Sequence, residues 1–290
     1  MRKVFILAVF ILSAFLTAGS YGGSDGIGIS GEIGGSSGSG VGVAGTTWTL
    51  RNLGNWLGDI TYGNNTFVAV GESGIILTSR DGVTWTQRAS GTREDLYSIV
   101  YSDDIFVVVG SGGGIILTSI DGVNWIQRSS GLGNDLYGVA YGNNTFVAVG
   151  TIGTILISQD GLNWARRNSR KDSTLYGVAY GNNTFVAVGK SGTNLISRFV
   201  GMGDSGTILI SQDGLNWTER VLGKISILYG VAYGNNTFVA VGKSGIILTS
   251  QDGVTWTQRN SGPSSTLYGV AYGNNTFVAV GEKGIILTSP

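Results

Sequence analysis

The sequence contains no cysteine and no histidine. Without cysteine the chain cannot form a disulfide, a thiolate metal site, a thiol nucleophile or a lipid-modified cysteine. Without histidine it lacks the usual general base and the commonest metal ligand of proteins. A Ser-His-Asp hydrolase and a histidine-ligated zinc enzyme are therefore excluded, and the sequence indicates no cofactor and no metal site.

Proline is nearly absent as well, with two residues, whereas glycine contributes 50 of the 290 residues. This combination excludes collagen and proline-rich linkers, and it favours tight turns between short strands. Acidic and basic residues are balanced at 18 each, so no net field attracts the chain to nucleic acid or to an anionic membrane. We therefore expect a glycine-rich β protein that does not bind nucleic acid.

The first 45 residues differ in composition from the rest. Arg2 and Lys3 precede an apolar run of 13 residues, Val4 to Leu16, which is shorter than the roughly 20 needed to span a bilayer. We predict a signal peptide at residues 1–19 and hence an exported bacterial protein, periplasmic or extracellular. An uncleaved membrane anchor is the alternative. Residues 20–45 are mostly Gly and Ser and predict a flexible linker.

Residues 46–290 repeat a unit of about 39 residues, best seen in LYGVAYGNNTFVAVGKSGIILTSQDGVTWTQRNSG. Each unit contains four strand signals, which we name a to d, with Gly-Asn-Asn or Asp-Gly turns between them. Four strands at this period are typical of a propeller blade. Strand a occurs six times. We therefore predict an all-β fold, a six-bladed β-propeller of four-stranded antiparallel blades.

Two irregularities refine this prediction. The last unit ends at Pro290 after strand c, and a copy of strand d lies at the other end of the domain. Residues 46–52 are thus predicted to complete the last blade and to close the ring. The intervals between the strand-d tryptophans, from Trp48 to Trp256, are 37, 40, 39, 53 and 39 residues, and the long one contains a duplication, in which residues 198–211 copy residues 184–197. We predict an extra hairpin in the fourth blade, either within an enlarged sheet or protruding from it.

A Ser-x-Asp-Gly-x-x-Trp box anchors each complete unit. The boxes are Ser79-Asp81-Trp85, Ser119-Asp121-Trp125, Ser158-Asp160-Trp164, Ser211-Asp213-Trp217 and Ser250-Asp252-Trp256. An Asp at a tight turn accepts backbone N–H groups, and the Trp buries a large ring between sheets. The boxes are therefore interpreted as structural. Calcium binding is the alternative, although one carboxylate per turn is a small ligand set.

The boxes recur at the period of a blade, and they resemble the Asp-box (BNR) repeat of sialidases, sortilin-type receptors and photosystem II assembly-factor-like propellers. The sialidase resemblance implies an arginine triad and an Arg-Ile-Pro signature, but no Arg-Ile-Pro occurs in the chain. Instead, one arginine per blade follows a tryptophan of the repeat by three residues: Arg51, Arg88, Arg128, Arg167, Arg220 and Arg259. This indicates a repeat position rather than a triad, so we predict no enzymatic activity and retain a sialidase-type glycosidase as an alternative.

These arginines allow two interpretations. They could form a ring near the rim that binds anions or an acidic partner. Alternatively, each could pair with the backbone or a carboxylate of a neighbouring blade.

Strand order assigns the loops to two faces. The a–b and c–d turns are nearly identical in every unit and define the uniform face. The b–c turns and d–a loops differ between units and define the variable face, which suits one asymmetric partner on a rigid scaffold. We predict a monomeric, non-catalytic binding scaffold for a protein or polymer partner. Its candidate binding residues are Arg93, Glu94, Asp95, Lys171, Asp172, Lys190 and Lys224.

Three alternatives to this function remain. The variable loops could differ through neutral drift alone. Copied turns on the uniform face could present copied pockets, as in a multivalent lectin-like protein that binds a polysaccharide. The assembly-factor resemblance implies a propeller that holds a nascent membrane-protein segment.

Overall fold

The computed structural model describes residues 56–168, 173–191, 206–220, 225–262, 264–273, 275–282 and 285–289. These residues form 23 β-strands and two short 3-10 turns, arranged as six antiparallel sheets. The predicted all-β, six-bladed propeller is confirmed. No helix in the described ranges has the length and the hydropathy of a membrane span.

Each blade runs from strand a to strand d in sequence order. The a strands are β1 (Leu57–Gly63), β5 (Leu96–Ser102), β9 (Leu136–Gly142), β13 (Thr174–Gly181), β17 (Leu228–Gly234) and β21 (Leu267–Gly273). The b strands are β2 (Thr66–Gly71), β6 (Ile105–Gly110), β10 (Thr145–Gly150), β14 (Thr184–Lys190), β18 (Thr237–Gly242) and β22 (Thr276–Gly281). The c strands are β3 (Ile76–Ser79), β7 (Ile116–Ser119), β11 (Thr154–Ser158), β15 (Gly206–Ser211), β19 (Ile247–Ser250) and β23 (Ile286–Ser289). The d strands are β4 (Thr86–Arg88), β8 (Ile126–Arg128), β12 (Ala165–Asn168), β16 (Thr218–Arg220) and β20 (Thr257–Arg259).

The a–b turns show why the sheets form up-and-down hairpins. In the first blade Gly63 pairs with Thr66, and the two residues between them, Asn64 and Asn65, have φ of 45° and 58°. Two consecutive positive φ values define the tight turn whose twist matches antiparallel strands, and asparagine tolerates them. The predicted hairpin turns are therefore confirmed, and with them the assignment of loops to the uniform and variable faces.

The hydrophobic core lies between neighbouring blades. Between the second and third blades, Val107 and Ile116 pack with Leu136 and Phe146, and all four side chains are fully buried. Equivalent clusters join the first blade to the second and each following pair up to the fifth and sixth. Because burying one such side chain contributes about 2 kcal/mol, these interfaces are the main source of stability in the described ring.

The a strands are the innermost strands, since those of the first five blades each contact the a strand of the following blade. Five of the six a strands end in a glycine, and β5 ends in Ser102. A Cβ on Gly142 would lie 2.0 Å from the ring of Tyr180 in the next blade, and a Cβ on Gly234 would lie equally close to the ring of Tyr272. At Gly142 and Gly234, the close approach of the next blade therefore leaves no room for a side chain.

The sixth blade contains three strands in the described part of the chain, β21, β22 and β23. Ile286 of β23 is 43% exposed, whereas the equivalent Ile116 is fully buried against the following blade. Residues 46–52, predicted to complete this blade, lie outside the described residues. The signal peptide at 1–19 and the linker at 20–45 lie outside them too, so closure of the ring and both segments stay predictions.

The fourth blade forms its four strands around the duplicated segment. Strand β14 pairs directly with β15, from Phe185 opposite Ser211 to Lys190 opposite Gly206. The third strand of this blade is therefore the second copy of strand c. Residues 192–205 lie outside the described residues, so the extra hairpin stays a prediction.

Candidate functional site

The Asp boxes form the c–d turns of the uniform face. In the second blade Asp121 Oδ1 accepts the backbone N–H groups of Val123 and Asn124 at 2.8 Å, and the Ser119 hydroxyl donates to the same oxygen at 2.9 Å. The bonds from the backbone of Asn124 and Val123 are the main reason that the pKa of Asp121 is held well below its usual range. Gly122 adopts a φ of 72°, as this turn requires. The carboxylate is thus engaged in its own turn.

Each box tryptophan fastens this turn to the sheet. Trp164 Nε1 donates to the carbonyl of Gly161 at 2.9 Å, and its ring centroid lies 6.4 Å from that of Phe146. The same ring pair occurs as Trp85–Phe67, Trp125–Phe106, Trp217–Phe185 and Trp256–Phe238. The described ranges contain no group of three or more His, Cys, Asp or Glu placed to hold a metal ion. The Asp, Ser and Trp side chains of the described boxes are thus hydrogen-bonded within their own turns.

The repeated arginines lie at the ends of the d strands. In the second blade Arg128 Nε donates to Thr118 Oγ1 of strand c at 2.9 Å. The same bond joins Arg88 to Thr78 and Arg259 to Thr249. The partner in these three blades is thus a threonine of the same sheet, not the neighbouring blade that the sequence suggested. Arg51 lies outside the described residues.

Two arginines lack this anchor. In the third and fourth blades an isoleucine, Ile157 or Ile210, replaces the threonine. The buried Nε atoms of Arg167 and Arg220 consequently have no hydrogen-bond partner. The five described arginines of the repeat are therefore not equivalent, because the side chain opposite each one sets how it is held.

An arc of aromatic rings lines the inner strands at the variable-face end. In five a strands a half-buried tyrosine directly follows the first leucine, and successive ring centroids are 5.3 to 5.5 Å apart. The rings are Tyr97, Tyr137, Tyr176, Tyr229 and Tyr268. In the first blade this position is Gly58, but Trp56 lies 6.5 Å from Tyr97 in an edge-to-face arrangement and extends the arc. We name these six rings the aromatic arc.

A shift in strand register explains the position of the tyrosines. In the third blade Leu136 pairs with Gly150 and Gly138 with Val149, so Tyr137 is the extra residue of a β-bulge. A bulge leaves its residue outside the ladder and redirects its side chain. Burial, followed by the negative charge of Asp135, raises the pKa of Tyr137, so this hydroxyl stays protonated over the physiological range.

The arc is bordered by charges that differ from blade to blade. The first three blades and the sixth present carboxylates, namely Glu72, Glu94, Asp95, Asp135 and Glu282, whereas the fourth and fifth present Lys190 and Lys243. Glu282 Oε1 accepts the hydroxyl proton of Tyr268 at 3.1 Å, which connects the rim to the arc. Among the described residues, carboxylates thus predominate in the first three blades and the sixth, where Arg93 is also exposed, and lysines lie in the fourth and fifth. The balanced composition of the whole chain does not show this distribution.

The predicted binding residues of the second blade lie together beside the arc. Arg93 and Glu94 are exposed, and Asp95 is half-buried. Asp95 Oδ1 accepts the backbone N–H of Ser73 from the first blade at 2.9 Å, and the Ser111 hydroxyl donates to Glu94 Oε2 at 3.4 Å. These two carboxylates thus also fasten the d–a loop to neighbouring turns.

The other predicted binding residues are dispersed. Lys190 ends strand β14 in the fourth blade, two blades away from Arg93. Lys171, Asp172 and Lys224 lie outside the described residues. The structure therefore brings together three of the seven predicted residues.

The aromatic arc is not predicted from the sequence. The repeated Leu-Tyr-Gly-Val-Ala-Tyr indicates a strand, but this pattern assigns no role to its first tyrosine. The available signal was the recurrence of a tyrosine directly after the d–a loop in five units, with Trp56 near that place in the first. Its orientation depends on the bulge, which sequence periodicity does not show.

Asp59 was missed too. Its side chain is 6% exposed on the innermost strand, and Asp59 Oδ2 accepts the Ser98 hydroxyl at 3.0 Å and the Ile99 N–H at 2.9 Å from the next blade. Oδ1 accepts the N–H of Ile60 at 2.8 Å. Burial outweighs these bonds and raises the pKa of Asp59 to about 7. Asp59 therefore links two blades and is a titratable group near neutral pH.

Open clefts occur on the variable face. One in the fifth blade includes Arg259, and its counterpart in the second blade includes Arg128. The lectin-like alternative expected copied pockets on the uniform face instead. These two related clefts lie between a b–c turn and the end of strand d.

Together, the fold and the mouth define a six-bladed β-propeller whose inner rim carries aromatic rings and blade-specific charges. No protein-family model matches the chain, and no curated protein matches it. Among solved structures, the computationally designed protein Ika8 is similar with a TM-score of 0.59 and 16% identity, over 81% of this chain and 70% of that one. BamB from Moraxella catarrhalis has a TM-score of 0.54 and 14% identity, over 79% of this chain and 68% of its own.

A YCF48 structure with a bound D1 peptide is also similar, with a TM-score of 0.45 and 19% identity, over 81% of this chain and 93% of that one. At such identities the likenesses to Ika8 and BamB concern the fold alone. The function of the chain has to be argued from its own site.

Proposed function

We propose that the protein is an exported, non-catalytic scaffold that holds a protein partner over the mouth of the propeller on its variable face. The aromatic arc is the observation that carries the proposal. Half-buried aromatic rings provide a large contact area at a low entropic cost, and they are enriched among the residues that dominate binding energy. Placed on rigid inner strands, they form a preorganised surface that needs little rearrangement on binding.

The charges around the arc would determine the orientation in which a partner binds to this surface. Carboxylates such as Glu72, Asp135 and Glu282 lie on one side, and Lys190 and Lys243 lie on the other. Opposite charges on a partner would align with them, which favours one orientation and suppresses others. A polarised mouth suits one asymmetric protein better than a symmetric array of identical ligands.

The test is affinity capture with loop variants. In the first variant, residues 91–95 are replaced by the Gly-Pro-Ser-Ser-Thr of residues 262–266, which removes Arg93, Glu94 and Asp95 together. In the second, Tyr97→Ser and Tyr137→Ser shorten the arc. The control carries Asn143→Gly and Asn182→Gly in turns of the uniform face, where glycine accepts the positive φ.

Secreted and periplasmic proteins of the source cells are passed over each immobilised form. We expect the intact protein and the control to retain the same protein, and both variable-face variants to lose it by about tenfold or more. Retention lost only in the uniform-face control would contradict the proposal. Hydrolysis of a fluorogenic sialoside by the purified protein would contradict its non-catalytic part.

A further inference from the structure

Two neighbouring rings of the aromatic arc have a carboxylate beside them. Asp95 stands two residues before Tyr97 in the second blade. Asp135 and Tyr137 repeat this arrangement in the third blade. The two tyrosine rings are half-buried, their centroids lie 5.3 Å apart and their planes are inclined by 42°. These two blades therefore present a pair of adjacent aromatic rings, each with its own acidic residue.

The carboxylates lie close enough to the rings to affect their titration. Burial, followed by the charge of Asp95, raises the pKa of Tyr97, and the charges of Asp135 and Glu94 add to this effect. Asp135 thus acts on the ring of the preceding blade as well as on its own Tyr137. The negative charges and the two rings belong to one local site.

The charges of this site are not balanced by its own loops. The d–a loops at residues 91–95 and 131–135 contain three carboxylates and one cation, Arg93. Asp95 Oδ1 accepts the backbone N–H of Ser73 at 2.9 Å. In the adjoining turn, Glu72 Oε1 accepts the backbone N–H of Trp56 at 3.2 Å. Both donors are uncharged, so these bonds leave the negative charges in place.

The next rings of the arc have the same spacing without the carboxylates. The centroids of Tyr176 and Tyr229 lie 5.5 Å apart. The position of Asp95 and Asp135 is taken there by a threonine and an isoleucine, and the b–c turns of these two blades carry lysines. The ring geometry therefore repeats along the arc, whereas the acidic residues distinguish the second and third blades.

We propose that the partner held at the mouth presents an extended basic segment of the form Arg-x-Arg to these two blades. One guanidinium group lies on the ring of Tyr97 and pairs with Asp95. The other lies on the ring of Tyr137 and pairs with Asp135. This inference rests on the proposed function and adds the chemistry of the partner to it.

Arginine in an extended chain fits the site for two reasons. A planar guanidinium stacks on an aromatic face and also makes bidentate contact with a carboxylate, which the compact ammonium of lysine does not do. Alternate residues of an extended chain point to the same side and lie about 7 Å apart. This distance is near the 5.3 Å between the two ring centroids, and long side chains cover the difference.

The experiment is isothermal titration calorimetry of the full-length protein with the peptide acetyl-Gly-Arg-Gly-Arg-Gly-amide. We expect one site per chain. The variant that combines Asp95→Asn and Asp135→Asn should bind about tenfold more weakly, because both ion pairs are lost. Asparagine keeps an oxygen that accepts the N–H of Ser73, so the loop retains its bond. A thermal melt checks that each variant is folded.

The matched control removes the same charge from the opposite face. It combines Asp103→Asn and Asp104→Asn in the a–b turn of the second blade, where the other five units carry Asn-Asn. The net charge changes by the same amount as in the test variant, but the mouth is untouched. The control should bind the arginine peptide as the wild type does.

A second pair of variants tests the rings. Tyr97→Ser should weaken binding of the arginine peptide, whereas Tyr229→Ser, which removes a ring of the same arc in the fifth blade, should leave it unchanged. The corresponding peptide with glutamine in place of arginine should not bind. Raising the salt concentration should weaken the binding of the arginine peptide.

Several results would overturn the inference. These are no binding of the arginine peptide to the wild type, equal binding of the glutamine peptide, tighter binding of the corresponding glutamate peptide, or an equal loss of affinity in the uniform-face control. A partner captured at the mouth that lacks a basic segment would also overturn it and would leave the proposed function standing. Capture that survives both variable-face variants would contradict the proposed function instead.

Discussion

Asp59 occupies a position on the innermost strand that small residues hold in the other blades. The equivalents are Ser98, Gly138, Gly177, Gly230 and Gly269. In blades with glycine there, the next strand approaches closely, and a Cβ on Gly138 would lie 3.2 Å from the carbonyl oxygen of Tyr176. Asp59 replaces this tight packing with hydrogen bonds to Ser98 and Ile99, at the cost of placing a carboxyl group in the interior.

The raised pKa of Asp59 predicts a pH-dependent stability. Between its ordinary pKa of 3.8 and about 7, the folded protein keeps a proton that the unfolded chain has released. Stability should therefore fall as the pH rises through this window, by roughly 4 kcal/mol in total from this group. Asp59→Asn removes the charge and should flatten the profile. Urea unfolding at several pH values between 4 and 8 measures both proteins.

The Asp-box carboxylates do not interfere with this measurement. Their pKa values are lowered in the folded protein, as for Asp121 and Asp213, so their contribution to stability is lost only as the pH falls below about 4. A wild-type profile that is level between pH 4 and 8, or a slope that persists in Asp59→Asn, would show that Asp59 is not the responsible group.

At the residue level, sequence reasoning succeeded where a repeat exposes a local rule. The positive φ of Asn64 and Asn65 follows from the turn that two adjacent strands require. It failed where the role of a residue depends on the next blade. The environment of Asp59 is created by Ser98 and Ile99, about 40 residues along the chain, and no short-range pattern specifies that contact.

At the element level, a substitution at the end of strand a would test how closely neighbouring blades pack. Gly142→Ala would place a Cβ 2.0 Å from the base of the Tyr180 ring, which is fixed by packing on Phe185. We expect this change to lower the free energy of unfolding by about 1 to 3 kcal/mol, because overpacking forces a backbone or ring displacement.

Gly273→Ala is the matched control, because it occupies the same position of the repeat with nothing within 4 Å of the added Cβ. Its effect should be within about 0.5 kcal/mol. Chemical unfolding of both variants gives the comparison. Equal destabilisation would imply that the strand itself, rather than the next blade, excludes a side chain at this position.

Strands were predictable from the sequence because their apolar and turn residues recur with the unit. Their pairing was less so. In the fourth blade the sequence contains two copies of strand c, and the second copy, in β15, pairs with β14. It alone is followed directly by the Asp box at Asp213 and by strand d at β16, so pairing of that copy keeps the c–d turn intact.

At the scale of the whole molecule, near-identical units form a propeller whose blades differ from one another at the variable face. The uniform face repeats the same turns, while the charges at the mouth differ between blades and the described arginines differ in how they are held. The number of blades could be counted from the sequence. The candidate site could not, because it arises where single substitutions in successive units meet around one axis.

The sixth blade is the only three-stranded sheet in the described ranges and lacks a strand d there. Phe277 is half-buried, whereas Phe146 and its equivalents in the second to fifth blades are fully buried and pack on a box tryptophan. Within the described ranges β23 also has no strand on its outer edge. Trp48 and residues 46–52 have the sequence of the missing strand d and would supply both the ring and the edge.

We therefore expect two N-terminal deletions to behave differently. Removal of residues 1–45 should leave the melting temperature unchanged, since only the signal peptide and the linker are lost. Removal of residues 1–52 should lower it by several degrees and promote aggregation, because an unpaired strand edge and exposed apolar groups remain. Trp48→Ala in the longer form should reproduce part of the loss, as a missing aromatic contact costs about 3 kcal/mol. Identical melts for the two deletions would mean that another segment, or none, completes the blade, and the ring would then have to be stable with its first and last blades unjoined.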